Sequence, residues 1–260
     1  MADLGYVALL LAFALGLYSP TAALIGARRH RPELVASARN GLLAMALLLT
    51  FAAASLWYLL LAHDFQVKYV AGFSSRDMPL YYLIGAFWAG NEGSLLWLAW
   101  TLSLIGESAL LVNWRRDRAF MPYVISTIAD VELFFVSMMV FQANPFQVLP
   151  FAPPDGRGMN PLLETRWMLI HPPALMTGFV AWTVPFAFAI GALASGRLGN
   201  EWVDSVRRWS LIAWLILGLG NLMGSAWAYG VLGWGGYWGW DPVENASLMP
   251  WLVGTAFIHS

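Results

Sequence analysis

Residues 40–63 read NGLLAMALLLTFAAASLWYLLLAH, a run of 24 residues without one Asp, Glu, Lys or Arg. A helix needs about 20 consecutive apolar residues to cross the hydrocarbon of a bilayer. This stretch alone therefore points to a membrane protein. Four further charge-free runs surround it, at 4–27, 133–154, 167–196 and 209–240. Over the 260 residues, 59% are hydrophobic and only 11% charged, where a soluble domain carries about 25% charge.

Outward from 40–63, the runs predict an all-α polytopic membrane protein, a single membrane domain over 1–260 with about seven transmembrane helices. The expected spans are 4–26, 41–62, 93–112, 123–142, 172–193, 210–228 and 242–260. A short apolar stretch at 80–89 is expected to be re-entrant or interfacial. The N-terminus has no basic region and no cleavage site of small residues, so the first run is expected to stay as a helix rather than leave as a signal peptide. The last run is still apolar at Ser260, which predicts a fragment or one piece of a split protein.

Basic residues orient the spans. Arg28, Arg29, Arg31, Arg39, Arg115, Arg116, Arg118, Arg197, Arg207 and Arg208 fall on one side, and Lys68, Arg76, Arg157 and Arg166 on the other. The richer side is expected to be cytoplasmic. That puts the N-terminus and the Trp-rich loop, about 228–247, on the outer face of the membrane. The net charge of -1 and the lack of a basic face argue against nucleic acid as a partner. With no cysteine in the chain, thiolate metal sites and disulfides are excluded. A bound metal must then take His, Met, Tyr or carboxylate ligands.

Residues 234–247 read WGGYWGWDPVENAS. Trp234, Tyr237, Trp238 and Trp240 crowd into seven residues with glycines between them. Either they form an interfacial aromatic belt or a flat apolar platform, which suits a porphyrin. The density favours the platform. Asp241 and Glu244 resemble catalytic carboxylates, but Asp-Pro-Val-Glu is better read as a helix start. Asp241 would be the N-cap, Pro242 the first helical residue and Glu244 the return arm of a capping box.

Among the four histidines, His30 sits in an arginine-rich loop and His63 at the end of the second span. His171 precedes Pro172 and Pro173. Its backbone is expected to be extended, with span five starting immediately after it. The imidazole would then sit at a helix N-terminus, where the dipole favours the neutral form that binds iron. It reads equally well as an interface histidine or a ligand. His259 lies deep in span seven, on one face with Thr255, Leu252 and Trp251. An ionisable residue inside a membrane helix is a functional candidate by default. Glu107 in span three and Asp130 and Glu132 in span four either line a proton route or pair with each other. For Asp130 and Glu132 an interfacial position is the alternative and is favoured. Glu92 is expected to cap span three.

These motifs carry a resemblance. WGGYWGWDPVENAS is similar to the WWD signature of haem-handling membrane proteins. Its Asp-Pro-Val-Glu-Asn-Ala-Ser continuation resembles the CcmF family of cytochrome c maturation factors, rather than CcmC or the CcsA-type synthetases. FWAGNEGS (87–94), Asn144-Pro145-Phe146, Asn160-Pro161-Leu162-Leu163 and His171-Pro172-Pro173 agree with that family. The resemblance covers the whole chain but matches only the N-terminal part of a longer protein.

The resemblance implies a haem lyase component, which positions haem at the outer face for attachment to the CxxCH motif of apocytochrome c. It implies haem binding by His171, Trp234, Tyr237, Trp238, Trp240, Asp241 and His259. His171 and His259 would be axial ligands of haem iron, His259 on a membrane-embedded haem b that relays electrons from quinol. The implied partners are a haem-loaded CcmE-type chaperone, a CcmH-type apocytochrome-binding protein and the missing C-terminal helices. A haem exporter or chaperone-loading protein of the same family, or a haem-free polytopic transporter using Asp130 and Glu132, are the alternatives.

Overall fold

The computed structural model describes residues 1–231, 233 and 235–260. The chain is helical throughout, apart from an isolated antiparallel bridge between Val67 and Val148. Two long helices open it, α1 (Ala2–Arg28) and α2 (Pro32–Leu61). Two short ones, α3 (Lys68–Phe73) and α4 (Leu80–Gly85), follow, then a single 3₁₀ turn at Ala86–Trp88. Next come α5 (Asn91–Asn113), α6 (Met121–Phe141), α7 (Arg166–Ala181), α8 (Thr183–Ser195), α9 (Glu201–Val231) and α10 (Pro242–His259). The apolar stretch at 80–89 is thus a short helix and a turn rather than a crossing.

Six helical stretches are long and apolar enough to cross a membrane: α1, α2, α5, α6, the α7–α8 pair and α9. The seventh expected span, α10, is helical over 18 residues but is not among them. Glu244, Asn245 and Ser247 occupy its first two turns and dilute its apolar character. The α7–α8 pair turns at Trp182. Pro185 has no N–H to return to the carbonyl four residues back, which opens the helix ladder there. Glu92 does not cap α5. Gly90 holds the N-cap position with no side-chain bond, and Glu92 is only an acidic residue in the first turn.

Helices α1, α2, α5 and α6 form one packed body, joined by α8 on α6. Leu9, Leu42, Met45, Leu49, Leu56 and Leu96 are fully buried within it. Helices α7 and α9 approach backbone to backbone, with Gly178 against Leu217 and Gly220 against Leu175. Small residues allow such approach between membrane helices. Helix α10 leans chiefly on α9.

The two ends of the bundle differ in charge, as the arginine count requires. At one end the loop after α2 is knitted to the loop after α6. Lys68 N–H donates to Gln147 O (2.8 Å), Leu149 N–H to Gln66 O (2.8 Å) and Arg157 N–H to Ala71 O (2.8 Å). Asp155 Oδ1 accepts from the backbone N–H groups of Arg76 (2.9 Å) and Gly156 (2.7 Å). Those bonds, helped by the Arg76 charge, hold the Asp155 carboxyl below the usual carboxylate range. At the other end Arg39 lies over the Trp114 ring at 4.4 Å, and Arg116 reaches Asp204 at 3.8 Å.

Candidate functional site

The Trp-rich loop hangs between the end of α9 and the start of α10. Trp234 falls outside the described residues. The start of α10 is the expected capping box. Asp241 Oδ1 accepts from the Glu244 N–H at 2.7 Å, and Glu244 Oε2 accepts from the Asp241 N–H at 3.3 Å. Glu244 Oε2 also accepts from the Gly239 N–H at 2.8 Å. Trp240 carries a left-handed φ of 56°, which is rare outside glycine. Its carbonyl accepts from Asn245 Nδ2 at 3.1 Å, which pins that conformation. The carboxylates therefore shape the loop.

The aromatics split in two. Tyr237 and Trp240 are exposed, and Tyr237 stacks on Tyr229 of α9 at 4.4 Å and 9°. Trp238 is half-buried and turns inward. It borders a cleft of about 330 Å³ with His171, Asn221, Trp227, Asp241 and Asn160. A second cleft of about 340 Å³ between α9 and α10 shares Asn221, Ser225 and Trp238 with the first. Ligand pockets of small molecules start at about this size.

His171 lies inside a helix, not ahead of one. Helix α7 starts at Arg166, with Thr165 as its extended N-cap, and it contains both Pro172 and Pro173. The expected extended backbone and helix-dipole argument are therefore overturned. The physical reason is local. Pro172 cannot donate to the carbonyl of Met168, four residues back. That carbonyl instead accepts from the indole Nε1 of Trp88 at 2.8 Å. Trp88 is itself buried at the end of the Ala86–Trp88 turn. Just beyond it, the Tyr69 hydroxyl donates to Phe87 O (2.8 Å) and accepts from the Gly90 N–H (3.0 Å). Burial pushes the Tyr69 phenol up, so it stays a donor.

The imidazole is held in one tautomer. Nδ1 lies 2.9 Å from the Gly220 carbonyl oxygen. A carbonyl only accepts, so Nδ1 carries the proton and Nε2 keeps its lone pair. Nε2 makes no hydrogen bond among the described residues. Trp227 meets the ring edge-on at 5.5 Å. Gly224 lies beneath it, where a Cβ would come within 2.6 Å of His171 Cε1. A histidine that donates one N–H to a backbone carbonyl and leaves the other nitrogen free is the arrangement metal sites use. Around the same clefts, Asn221 Nδ2, Trp227 Nε1 and Trp238 Nε1 are buried donors without a partner among the described residues. The chemistry of this set fits an apolar ring system bearing acceptor oxygens, as haem is.

His259 is elsewhere. It is the last residue of α10, exposed, beside Asp204, Arg207 and Ser210 of α9. Its Nδ1 lies 2.8 Å from the Thr255 carbonyl oxygen, and Thr255 Oγ1 accepts from the Trp214 indole at 2.7 Å. An 18-residue helix, about 27 Å long, separates it from the loop. His259 thus lies 17 residues past the start of α10, beside the first turns of α9 that carry Asp204 and Arg207. The structure brings together His171, Trp238 and Asp241 at the cleft, with the exposed Trp240 edge-on to Trp238 at 6.1 Å, and leaves Tyr237 and His259 outside the cleft.

Sequence reasoning missed Trp88, Asn221, Trp227 and Gly224. Two signals were present. Asn221 is an amide within an apolar run, and Gly220-Asn-Leu-Met-Gly224 has the small-residue spacing that marks close helix contact. Nothing in the sequence marks Trp88 as the donor to Met168.

The family described as "Cytochrome C assembly protein" matches residues 88–260. The CcmF cytochrome c-type biogenesis protein of Pseudomonas aeruginosa is 43% identical over 99% of this chain, and that of Escherichia coli 41% over 100%. The chain spans about 40% of the length of these relatives. A solved structure described as cytochrome c haem lyase CcmF superposes with a TM-score of 0.85 at 35% identity, covering 99% of this chain and 41% of that one. From the match over 88–260, with relatives alike along the whole chain, it follows that this protein belongs to the cytochrome c assembly family, where it corresponds to the N-terminal two-fifths of CcmF-type haem lyases.

Proposed function

We propose that this chain is the N-terminal haem-positioning part of a haem lyase in cytochrome c maturation. The observation that carries the reading is His171, whose Nδ1–H is tied to Gly220 and whose Nε2 is free in the cleft below Trp238. His171 Nε2 would ligate the haem iron. Trp238 would cover the ring, with Trp234, Tyr237 and Trp240 completing the outer platform. Asp241 holds the loop at a set angle to α10. The haem supplies the thioether chemistry with the two thiols of an apocytochrome CxxCH motif, and the chain supplies orientation and exclusion of water. His259 would hold a second haem, of the b type, from the far end of α10, with its partner ligand and a route from quinol coming from the remainder of the protein.

The arginine-rich end is taken as cytoplasmic, which places the loop and the cleft at the outer face of the bacterial inner membrane. There a haem-loaded CcmE-type chaperone would deliver and a CcmH-type partner would present the apocytochrome. The test replaces His171 in the full-length lyase. His171→Ala should reduce covalent cytochrome c more than 100-fold, since changing a partner behind a metal ligand alone costs about 10–100-fold. His171→Gly supplied with free imidazole should recover part of it. Maturation at wild-type level in His171→Ala would remove the histidine, and this reading, from the site.

A further inference from the structure

We propose that Glu107 of α5 and Glu132 of α6 bind a shared proton, forming a proton site inside the membrane body that is separate from the His171 cleft. Glu107 is 4% exposed and Glu132 is fully buried. Their carboxyl groups face each other across the α5–α6 contact. None of the four oxygens has a hydrogen-bond partner among the described residues. One residue along α5, Gly106 packs so tightly on α6 that a Cβ would sit 3.0 Å from Ile128. Next along α6, Leu133 packs on Gly16 of α1, where Met45 of α2 also reaches. The pair therefore lies in the packed interior, not on a lipid face. A separate observation marks the same level as polar. Ser19, one turn along α1 from Gly16, is fully buried with an unpartnered hydroxyl.

Among the described residues no basic side chain forms an ion pair with either carboxyl. Helix α7, which also packs on α5, carries Arg166 at its first position and His171, whose Nδ1 is tied to Gly220. The charged residues of α1 and α2 lie near their ends: Asp3, Arg28, Glu33 and Arg39, the last of these committed to the Trp114 ring. Helix α8 carries no charge, and α5 has no basic residue. Among the described residues, ion pairs involve only Arg116 with Asp117 and Asp204. On α6 itself, Asp130 faces the opposite way, is exposed, and lies 3.5 Å from Ser126 Oγ. No third carboxylate or imidazole joins the pair to make a metal cage among the described residues.

Two carboxylates in contact cannot both ionise in a dry interior. A proton taken from water converts one to a carboxylic acid, whose O–H donates to an oxygen of the other. The pair then carries one negative charge, held between the two carboxyl groups, instead of two, and no electrons move. The site differs in kind from the haem cleft, which offers nitrogen donors and an imidazole.

The test is infrared spectroscopy of the full-length protein in nanodiscs. At neutral pH the wild type should show a protonated carboxyl C=O band that titrates away in alkali. Glu107→Gln with Glu132→Gln preserves shape and should remove the band while the helical fold, checked by circular dichroism, persists. Asp130→Asn should leave the band unchanged. Single and double Gln variants should be non-additive in thermal stability, as coupled groups are. A wild type without the band, a band that survives the double substitution or follows Asp130, or additive effects would overturn the proposal. These readouts do not depend on haem, so they stand or fall apart from the His171 reading.

Discussion

The body made by α1, α2, α5 and α6 and the arm made by α9 and α10 solve the same problem in opposite ways. In the most apolar 18-residue stretch of each helix, half of the residues are buried in α2, α5 and α6 and 44% in α1, against 22% in α9. In the body, apolar side chains meet each other and close every gap. In the arm, Leu215, Leu219, Leu222, Met249 and Val253 face outward, and the two clefts beside Trp238 open between the helices. Among the described residues, the unpartnered buried polar atoms on the body helices are the Glu107 and Glu132 carboxyls and the Ser19 hydroxyl, while the arm's are nitrogen donors. The lesson is that apolar composition does not tell a helix that seals a core from one that lines a cleft. Small residues and orphaned donors do.

That contrast can be broken by matched substitutions. The largest effect is expected at Gly224→Ala. Its methyl would displace the His171 ring, lowering haem affinity about 10–100-fold while the helices stay folded. The matched change in the body, Gly16→Ala, meets side chains alone, Leu133 at 3.1 Å and Met45 at 3.5 Å. It should cost about 1–3 kcal/mol of stability and leave haem titrations unchanged. Equal loss of haem binding in both would erase the distinction between arm and body.

Trp88→Phe comes next. It keeps an aromatic ring but strips the donor from the Met168 carbonyl, an orphaned buried acceptor costing about 1–3 kcal/mol. Thermal unfolding should show that loss. The absorption spectrum of bound haem should shift as well, because α7 carries His171 one helical turn away. A stability loss with an unaltered spectrum would confine Trp88 to the body.

Asp241→Ala should cost about 1 kcal/mol, the usual worth of an N-cap, and Asp241→Asn only a small part of that. If Asn is as harmful as Ala, Asp241 acts as a charge and not as a cap. The smallest effect concerns Asp155. Its folded carboxyl titrates below the free value, so its contribution is complete above the unfolded pKa and is lost as pH falls through the folded one. The protection of the Arg76 and Gly156 amides from exchange, taken relative to the intrinsic rate at each pH, should fall in acid, and Asp155→Asn should remove that pH dependence.

Much of the fold was legible because the signals were local. Charge-free runs mark α1, α2, the α7–α8 pair and α9, while α5 and most of α6 carry acidic residues and fall outside them. The loops at 62–90 and 142–165, which the arginine count assigns to one side, knit together at one end. Asp241 and Glu244 were readable as a cap because the capping box is a four-residue pattern. His171 was identifiable as a residue but not in its setting. The rule that proline disfavours a helical residue before it is local, and a tertiary bond from Trp88, 80 positions upstream of Met168, overrides it. The burial of Glu132 was misjudged for a related reason. Helix α6 begins at Met121, which sets residue 132 well inside, and only the packing of α1 and α5 decides which side of that helix is dry.

The bond from Trp88 to Met168 also bears on how the protein is made. A chain leaves the ribosome N-terminus first, and earlier parts fold first. Trp88, anchored through Tyr69 and the body helices, is in place before Met168 is synthesised. When α7 arrives with its broken ladder, the donor it lacks is already waiting at a fixed address. The proline pair thus makes the histidine helix depend on an upstream template, so that the segment carrying His171 takes its final depth and rotation only in a chain whose first half is already built.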